Sequence, residues 1–221
     1  MPHILLDQVS KSFKGATIFE NVNFAVEKGK IYGIIGPNGS GKSVLFKLIC
    51  GFLFPDHGRV IVDGEELGVN KRFPSDFGII IDRPGYIAGK TGFDNLKALA
   101  LIRNKISDDK IKQTMRLVGL DPESTQKVKH YSLGMKQKLA IAQAIMEDQQ
   151  TLILDEPFNA LDADSVENIR NLLRKFKEEG RTILLTSHNQ EDIDVLCDEV
   201  YRINRFKLEK SKEIGSTGLV I

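Results

Sequence analysis

Only two of the 221 residues are cysteine, Cys50 and Cys197. Each sits in an apolar, helix-like stretch without metal-ligand spacing, so a reducing cytosol suits them better than a disulfide framework. Charge of one sign is not in excess either: 31 Lys and Arg stand against 30 Asp and Glu, a formal net charge of +1. That balance argues against an electrostatic grip on nucleic acid or an acidic membrane surface. Long apolar runs are missing. Stretches such as Ile31 to Ile35 fall far short of the roughly 20 residues that cross a bilayer. Met1 to Asp7 has no basic stretch ahead of an apolar block, so no secretory signal is expected. Internal repeats, low-complexity tracts and long linkers do not stand out, which leaves no sign of a second independent domain. What remains is ordinary for a soluble globular chain, 41% hydrophobic and 28% charged, and long enough for a useful core.

The pattern is α/β. Val22, Phe24 and Val26 alternate with polar neighbours ahead of the turn Glu27-Lys28-Gly29-Lys30, and Val60 to Val62 precede the turn Asp63-Gly64. Ile31 to Ile35, Ile79 to Ile81, Thr151 to Leu154 and Thr182 to Leu185 are short continuous apolar runs, as expected of strands buried on both faces of a parallel sheet. Helical stripes lie between them. Val166, Ile169, Leu173 and Phe176 form one, with Gly180 as its stop, and Leu139, Ala142, Ile145 and Met146 form another. From about residue 92 to 148 several helical patterns follow one another without a convincing strand, which reads as a helical insertion in an α/β core.

The strongest local signal is Gly36-Pro37-Asn38-Gly39-Ser40-Gly41-Lys42-Ser43, set between the strand Ile31 to Ile35 and the helical run Val44 to Cys50. Glycines let the backbone curl so that successive N–H groups face phosphate oxygens, and the following helix adds its positive end. In such a loop Lys42 holds the β and γ phosphates and the Ser43 hydroxyl ligates Mg²⁺. A second signal is the apolar strand Thr151 to Leu154 running into Asp155-Glu156. In many P-loop ATPases such a strand lies beside the phosphate-loop strand. There Asp155 reaches Mg²⁺, usually through water, and Glu156 polarises the attacking water. The plain alternative is a strand ending at a solvated acidic turn.

In order along the chain, these motifs resemble those of ATP-binding cassette (ABC) ATPases. Asp155-Glu156-Pro157 with Ala160-Leu161-Asp162 is similar to their Walker B strand and D-loop. Tyr131-Ser132-Leu133-Gly134-Met135 resembles their signature loop, usually Leu-Ser-Gly-Gly-Gln, with Leu133 and Met135 in place of a Gly and the Gln. Ser132 and Gly134 survive, and a hydroxyl and a glycine N–H at a helix start can grip a γ-phosphate. Taken alone, Ser132 is a simple helix N-cap. His188 in Thr186-Ser187-His188 matches the family's switch histidine, a polar contact to the γ-phosphate and attacking water. Phe13 matches the aromatic that stacks on adenine, although an aromatic so near the start is otherwise a core residue. His3, His57 and His130 have no comparable setting and read as structural or exposed. Asp82 stands where the family usually has glutamine. Either it keeps a metal-sensing role, or it turns to Arg83 or elsewhere.

The resemblance covers nearly the whole chain, from Phe13 to about Lys210. It implies a P-loop NTPase (RecA-like) core with an N-terminal antiparallel β-subdomain and a helical insertion, in a single nucleotide-binding domain. It further implies an ATPase that uses ATP and Mg²⁺. Two copies, or this chain and a second cassette, would sandwich ATP between the phosphate loop of one and Ser132 and Gly134 of the other. The partner is a membrane-spanning transporter subunit, which places the chain at the cytoplasmic face of the membrane; Tyr86, Ile87 and Phe93 lie in the segment that would meet it or are buried core. Pro84-Gly85-Tyr86 and the signature resemble bacterial exporters of antibiotics, lantibiotics and other peptides. The alternative class is a soluble ABC ATPase acting on ribosomes or nucleic acid.

Overall fold

The computed structural model describes residues 2–68, 73–82 and 85–211. Two sheets organise it. Strands β1 (Ile4–Phe13), β2 (Ala16–Val26), β4 (His57–Val62) and β5 (Glu65–Glu66) form an antiparallel sheet in the order β2-β1-β4-β5. On β2, Val22, Phe24 and Val26 are buried while Asn21, Asn23 and Ala25 face outward, so the alternation in the sequence is the alternation of the pleat. The second sheet has the order β10-β9-β3-β8-β7-β6, with β3 (Ile31–Ile35), β6 (Phe77–Ile80), β7 (Thr151–Leu154), β8 (Thr182–Leu185), β9 (Glu199–Asn204) and β10 (Lys207–Lys210). Its strands are parallel except for β10 at the edge.

Every residue of β3, β7 and β8 is buried. Their side chains divide by parity. Ile31, Ile35, Leu152, Leu154, Ile183 and Leu185 join one core cluster, and Tyr32, Ile34, Ile153 and Leu184 join the other. A strand between two cores has no face left for polar residues, which is why these segments read as unbroken apolar runs. Helix α1 (Lys42–Ile49) and the antiparallel sheet cover the second core. The first is covered by α2 (Gly92–Arg103), α3 (Asp108–Leu117), α4 (Leu133–Ile145), α5 (Ala163–Glu178) and α6 (Gln190–Leu196).

Two details depart from the sequence reading. The strand expected over Ile79 to Ile81 runs over Phe77–Ile80, starting two residues earlier and ending one earlier. The Asp155 strand β7 does not lie beside the phosphate-loop strand β3, because β8, the strand that leads to His188, stands between them. The helical stretch does not hold a core of its own: Leu96, Ile111 and Met115 share one cluster with Leu152 and Ile183 of the sheet. Among the described residues between 92 and 148 there is no strand, only an isolated bridge from Thr91 to Lys127. No helix among them is long and apolar enough to cross a membrane.

Helix α4 lies so close to β6 that a Cβ built on Gly78 would sit 1.9 Å from the carbonyl oxygen of Ala144. Backbone, unlike a flexible side chain, cannot step aside. Gly78→Ala is therefore expected to force α4 off the sheet at a cost of about 1–3 kcal/mol, read as a Tm lower by several degrees in thermal denaturation. An unchanged Tm would mean that the two elements are not packed this tightly.

Candidate functional site

The chemistry-bearing residues leave the sheet at one edge, the carboxyl ends of β3, β8, β7 and β6, where ligands of open parallel sheets gather. From β3 the chain enters the loop Gly36 to Gly41, and α1 starts at Lys42. Gly41 holds φ at +107°, and a Cβ there would meet Ile18 Cγ2 at 2.7 Å and Phe19 Cζ at 3.0 Å. Glycine is thus required twice, for the backbone turn and for the close approach of β2. Gly39, at φ +78°, has open space around its absent side chain. Lys42 folds back across the loop and donates to the carbonyls of Gly36 at 2.9 Å and Pro37 at 3.3 Å. Ser40 Oγ is buried without a hydrogen-bond partner.

Asp155 follows β7. One carboxylate oxygen accepts from Ser43 Oγ at 2.5 Å and the other from Thr186 Oγ1 at 2.7 Å. The same Thr186 oxygen accepts the backbone N–H of Glu156 at 2.8 Å. Ser43 and Asp155 therefore meet across the intervening strand β8. A hydroxyl and a carboxylate oxygen suit a hard cation. No group of three or more His, Cys, Asp or Glu able to hold a metal exists among the described residues.

Glu156 stands at φ +53°, a left-handed backbone that costs a non-glycine residue about 1–3 kcal/mol. Its Oε2 accepts the His188 backbone N–H at 3.2 Å. His188 Nε2 is 3.2 Å from Oε1 but out of line for a hydrogen bond, so that buried oxygen has no hydrogen-bond partner. Burial raises the Glu156 carboxyl above the usual range; the nearby Asp155 adds to the rise, and His188 and Lys42 oppose it. Asn38, Gly39, Lys42, Ser43, Asp155, Glu156 and His188 line one cleft of about 400 Å³.

The remaining expected residues lie elsewhere. Ser132 caps α4 by accepting from Met135 N at 3.1 Å, the plain role open to it from sequence. Gly134 passes so near Ala160 that a Cβ would be 2.7 Å from its carbonyl oxygen. Asp162 caps α5, and hydrogen bonds from Ser165 hold its carboxyl below the usual range. Asp82 is paired with Lys47 at 2.6 Å rather than with Ser43 and Asp155; Arg83 and Pro84 lie outside the described residues, as does the tail beyond Ser211. Phe13 is 41% exposed with the Lys11 ammonium 5.2 Å above its ring, and the hydrophobic residue of β2 that lines the cleft is Ile18. His3 is buried between Asp63 and Thr151, while His57 and His130 are exposed. Cys50 and Cys197 are free and buried, and burial pushes both thiols up to about 12. Tyr86 and Phe93 are half-buried against the core, and Ile87 is exposed.

Two residues of the site escaped the sequence reading. Thr186 comes to the site through the register of the folded sheet, in which Leu154 pairs with Leu185 and the next residues of both strands face each other. Gln137 carried no local signal. Its side-chain amide donates to the carbonyls of Glu156 and Pro157 at 3.2 and 3.0 Å, tying α4 to the strap after β7.

Residues 19–159, more than half of the chain, match the sequence profile of the ABC transporter family. The chain is 40% identical over 206 residues to the ABC transporter ATP-binding protein YybJ of Bacillus subtilis (strain 168), covering 93% of this chain and 94% of that one. It is 35% identical to the lantibiotic transport ATP-binding protein SrtF of Streptococcus pyogenes, covering 97% and 93% of the two chains. In fold it is similar to the ATP-binding cassette MJ0796, solved as a post-hydrolysis dimer bound to ADP and Pi, with a TM-score of 0.86 at 21% identity over 96% of this chain and 99% of that one.

The Glu156 carboxyl gives a pH prediction with a definite sign. Its raised pKa means that the folded chain holds this proton more tightly than the unfolded chain does. The contribution to stability is full below the ordinary carboxylate range and is lost as pH rises through the folded value. Glu156→Gln removes the buried charge, so it is expected to melt above wild type at neutral pH, with the gap closing as pH falls toward about 4.3. Nucleotide-free melting curves between these limits test it; a gap independent of pH would show that burial does not govern this carboxyl.

Proposed function

The chain belongs to the ABC transporter family, as one of its ATP-binding subunits, and from that membership we propose that it hydrolyses Mg·ATP to drive a separate membrane-spanning subunit, in the direction of export. The observation that carries the catalytic part is the meeting of Lys42, Ser43, Asp155, Glu156 and His188 on one cleft. Lys42 releases the loop carbonyls it now bonds and takes the β and γ phosphates, with the backbone N–H groups of Asn38 to Gly41 cradling them. Ser43 and Asp155 would hold Mg²⁺, which when bound neutralises charge developing on the phosphoryl oxygens. Glu156, ionised beside His188, accepts a proton from the attacking water. His188 steadies that carboxylate and offers its ring to the γ-phosphate. Phe13 would cover the adenine.

Ser132, Gly134 and Asp162 serve the nucleotide of a second cassette, in a dimer closed by ATP and opened by hydrolysis. Ser132 and Leu133 are exposed at the start of α4, which leaves that end available to another copy. The chain forms a single cassette with a helical insertion over about 92–148. The membrane partner is assigned to the apolar groove of about 260 Å³ lined by Tyr86, Ile87, Leu96, Leu99, Ile102 and Leu139, where Ile87 is 53% and Ile102 77% exposed. Tyr86 lines both this groove and the neighbouring cleft that contains Asp82, Asp155 and Glu156. Export follows from the lantibiotic transport role in the name of SrtF and from the exporter-like signature. No observation favours action on ribosomes or nucleic acid.

Purified wild type is expected to turn over Mg·ATP. Glu156→Gln should be slower by at least about a hundredfold and should accumulate as an ATP-bound dimer on size exclusion. Undiminished turnover in the variant would remove Glu156 from this reading. Ile102→Glu should leave turnover of the isolated chain intact and abolish co-purification with the membrane subunit. Retained co-purification would move the docking surface elsewhere.

A further inference from the structure

Glu156 presents both carboxylate oxygens to one residue. Oε2 accepts the His188 amide and Oε1 faces its ring, each at 3.2 Å. Where the segment 187–189 sits therefore decides where this carboxylate points. That segment belongs to no helix or strand. It is held by side chains. Ser187 Oγ donates to Asp192 Oδ2 at 2.5 Å and accepts from Asn189 N at 3.1 Å. Asp192, 1% exposed, uses its other oxygen to accept from Arg170 Nε at 3.0 Å and Nη2 at 2.6 Å. Arg170 on α5 is itself buried, and it also meets Glu191 at 3.2 Å and Glu167 at 3.4 Å. Desolvation offsets much of the attraction of a buried ion pair, so the stronger physical use of this one is to fix geometry.

We propose that Arg170, Asp192 and Ser187 form a buried positioning relay that sets how His188 presents to the Glu156 carboxylate. It makes α5 and the histidine segment act on that glutamate as one unit. The reach is longer than the contacts suggest. Helix α5 begins at the Asp162 cap, directly after the Ala160 carbonyl that lies against Gly134. Arg170 stands about 12 Å further along the same rigid helix. A shift of the α4 start is thus carried by α5 to the histidine segment and, from there, to the carboxylate. The inference rests on the proposed hydrolytic roles of Glu156 and His188. None of the three relay residues touches the phosphate cleft.

Ser187→Ala is the discriminating variant, because it removes one hydroxyl and leaves the Arg170–Asp192 pair in place. In the nucleotide-free full chain, NMR is expected to show displaced resonances for the His188 ring and the Glu156 amide. Single-turnover hydrolysis should fall about tenfold with ATP affinity unchanged. A network that only staples α6 to α5 would leave the His188 and Glu156 resonances in place, and that result overturns the relay. So does an unchanged hydrolysis rate in Ser187→Ala when His188→Ala is impaired. If His188→Ala itself hydrolyses at the wild-type rate, the catalytic reading of His188 fails instead, and the resonances still decide the relay.

Discussion

The Asp155 carboxylate is the contact on which the site depends. One oxygen takes the hydroxyl of Ser43 at the start of α1, and the other takes that of Thr186 at the end of β8. Three elements far apart in the chain are thereby set at one point. Thr186 extends the arrangement by also receiving the Glu156 amide, which helps to hold that residue in its left-handed backbone. Hydrogen bonds to a carboxylate are shorter and stronger than neutral ones. A residue forced into αL needs surroundings that over-determine it, and here they do.

The sheet explains why these groups can meet. Strands β3, β8 and β7 have both faces buried, so nothing polar can emerge except at their ends. Each carboxyl end then delivers a different chemical part: a phosphate-type loop, a Thr-Ser-His turn, a pair of carboxylates. The helical stretch is joined to this edge by close backbone packing rather than by a flexible hinge. Gly78 admits α4 against β6, Gly134 admits Ala160, and Gln137 binds the Glu156 and Pro157 carbonyls. Movement of α4 must therefore be felt at the carboxylates.

Two charged groups that the proposed function gives to ligands have protein partners in this structure. Lys42 turns its ammonium onto the carbonyls of Gly36 and Pro37, and Asp82 pairs with Lys47. Both are charges that find the nearest opposite charge or dipole on the folded chain. A salt bridge such as that of Asp82, whose side chain is 61% exposed, contributes little to stability. It is readily exchanged for another partner.

The amino-acid sequence by itself determined the α/β class, the phosphate loop, the pair Asp155 and Glu156, the histidine turn, and the family. Those features are local: glycine spacing, apolar run length, and a few residues at the end of a run. Even Ser132 and Asp162 were legible as helix caps, because a cap acts over three residues. The tertiary structure alone decided what lies between and across these segments. It placed β8 between β3 and β7, a matter of strand order that no local pattern encodes. It brought Thr186, Gln137 and the Arg170–Asp192 pair to the site, each through partners 19 to 31 positions away in sequence. It also set Phe13 half in solvent and turned Asp82 to Lys47. The physical reason is common to all of them. Periodicity and propensity act within one segment, whereas the partner of a buried polar group is chosen by the packing of several.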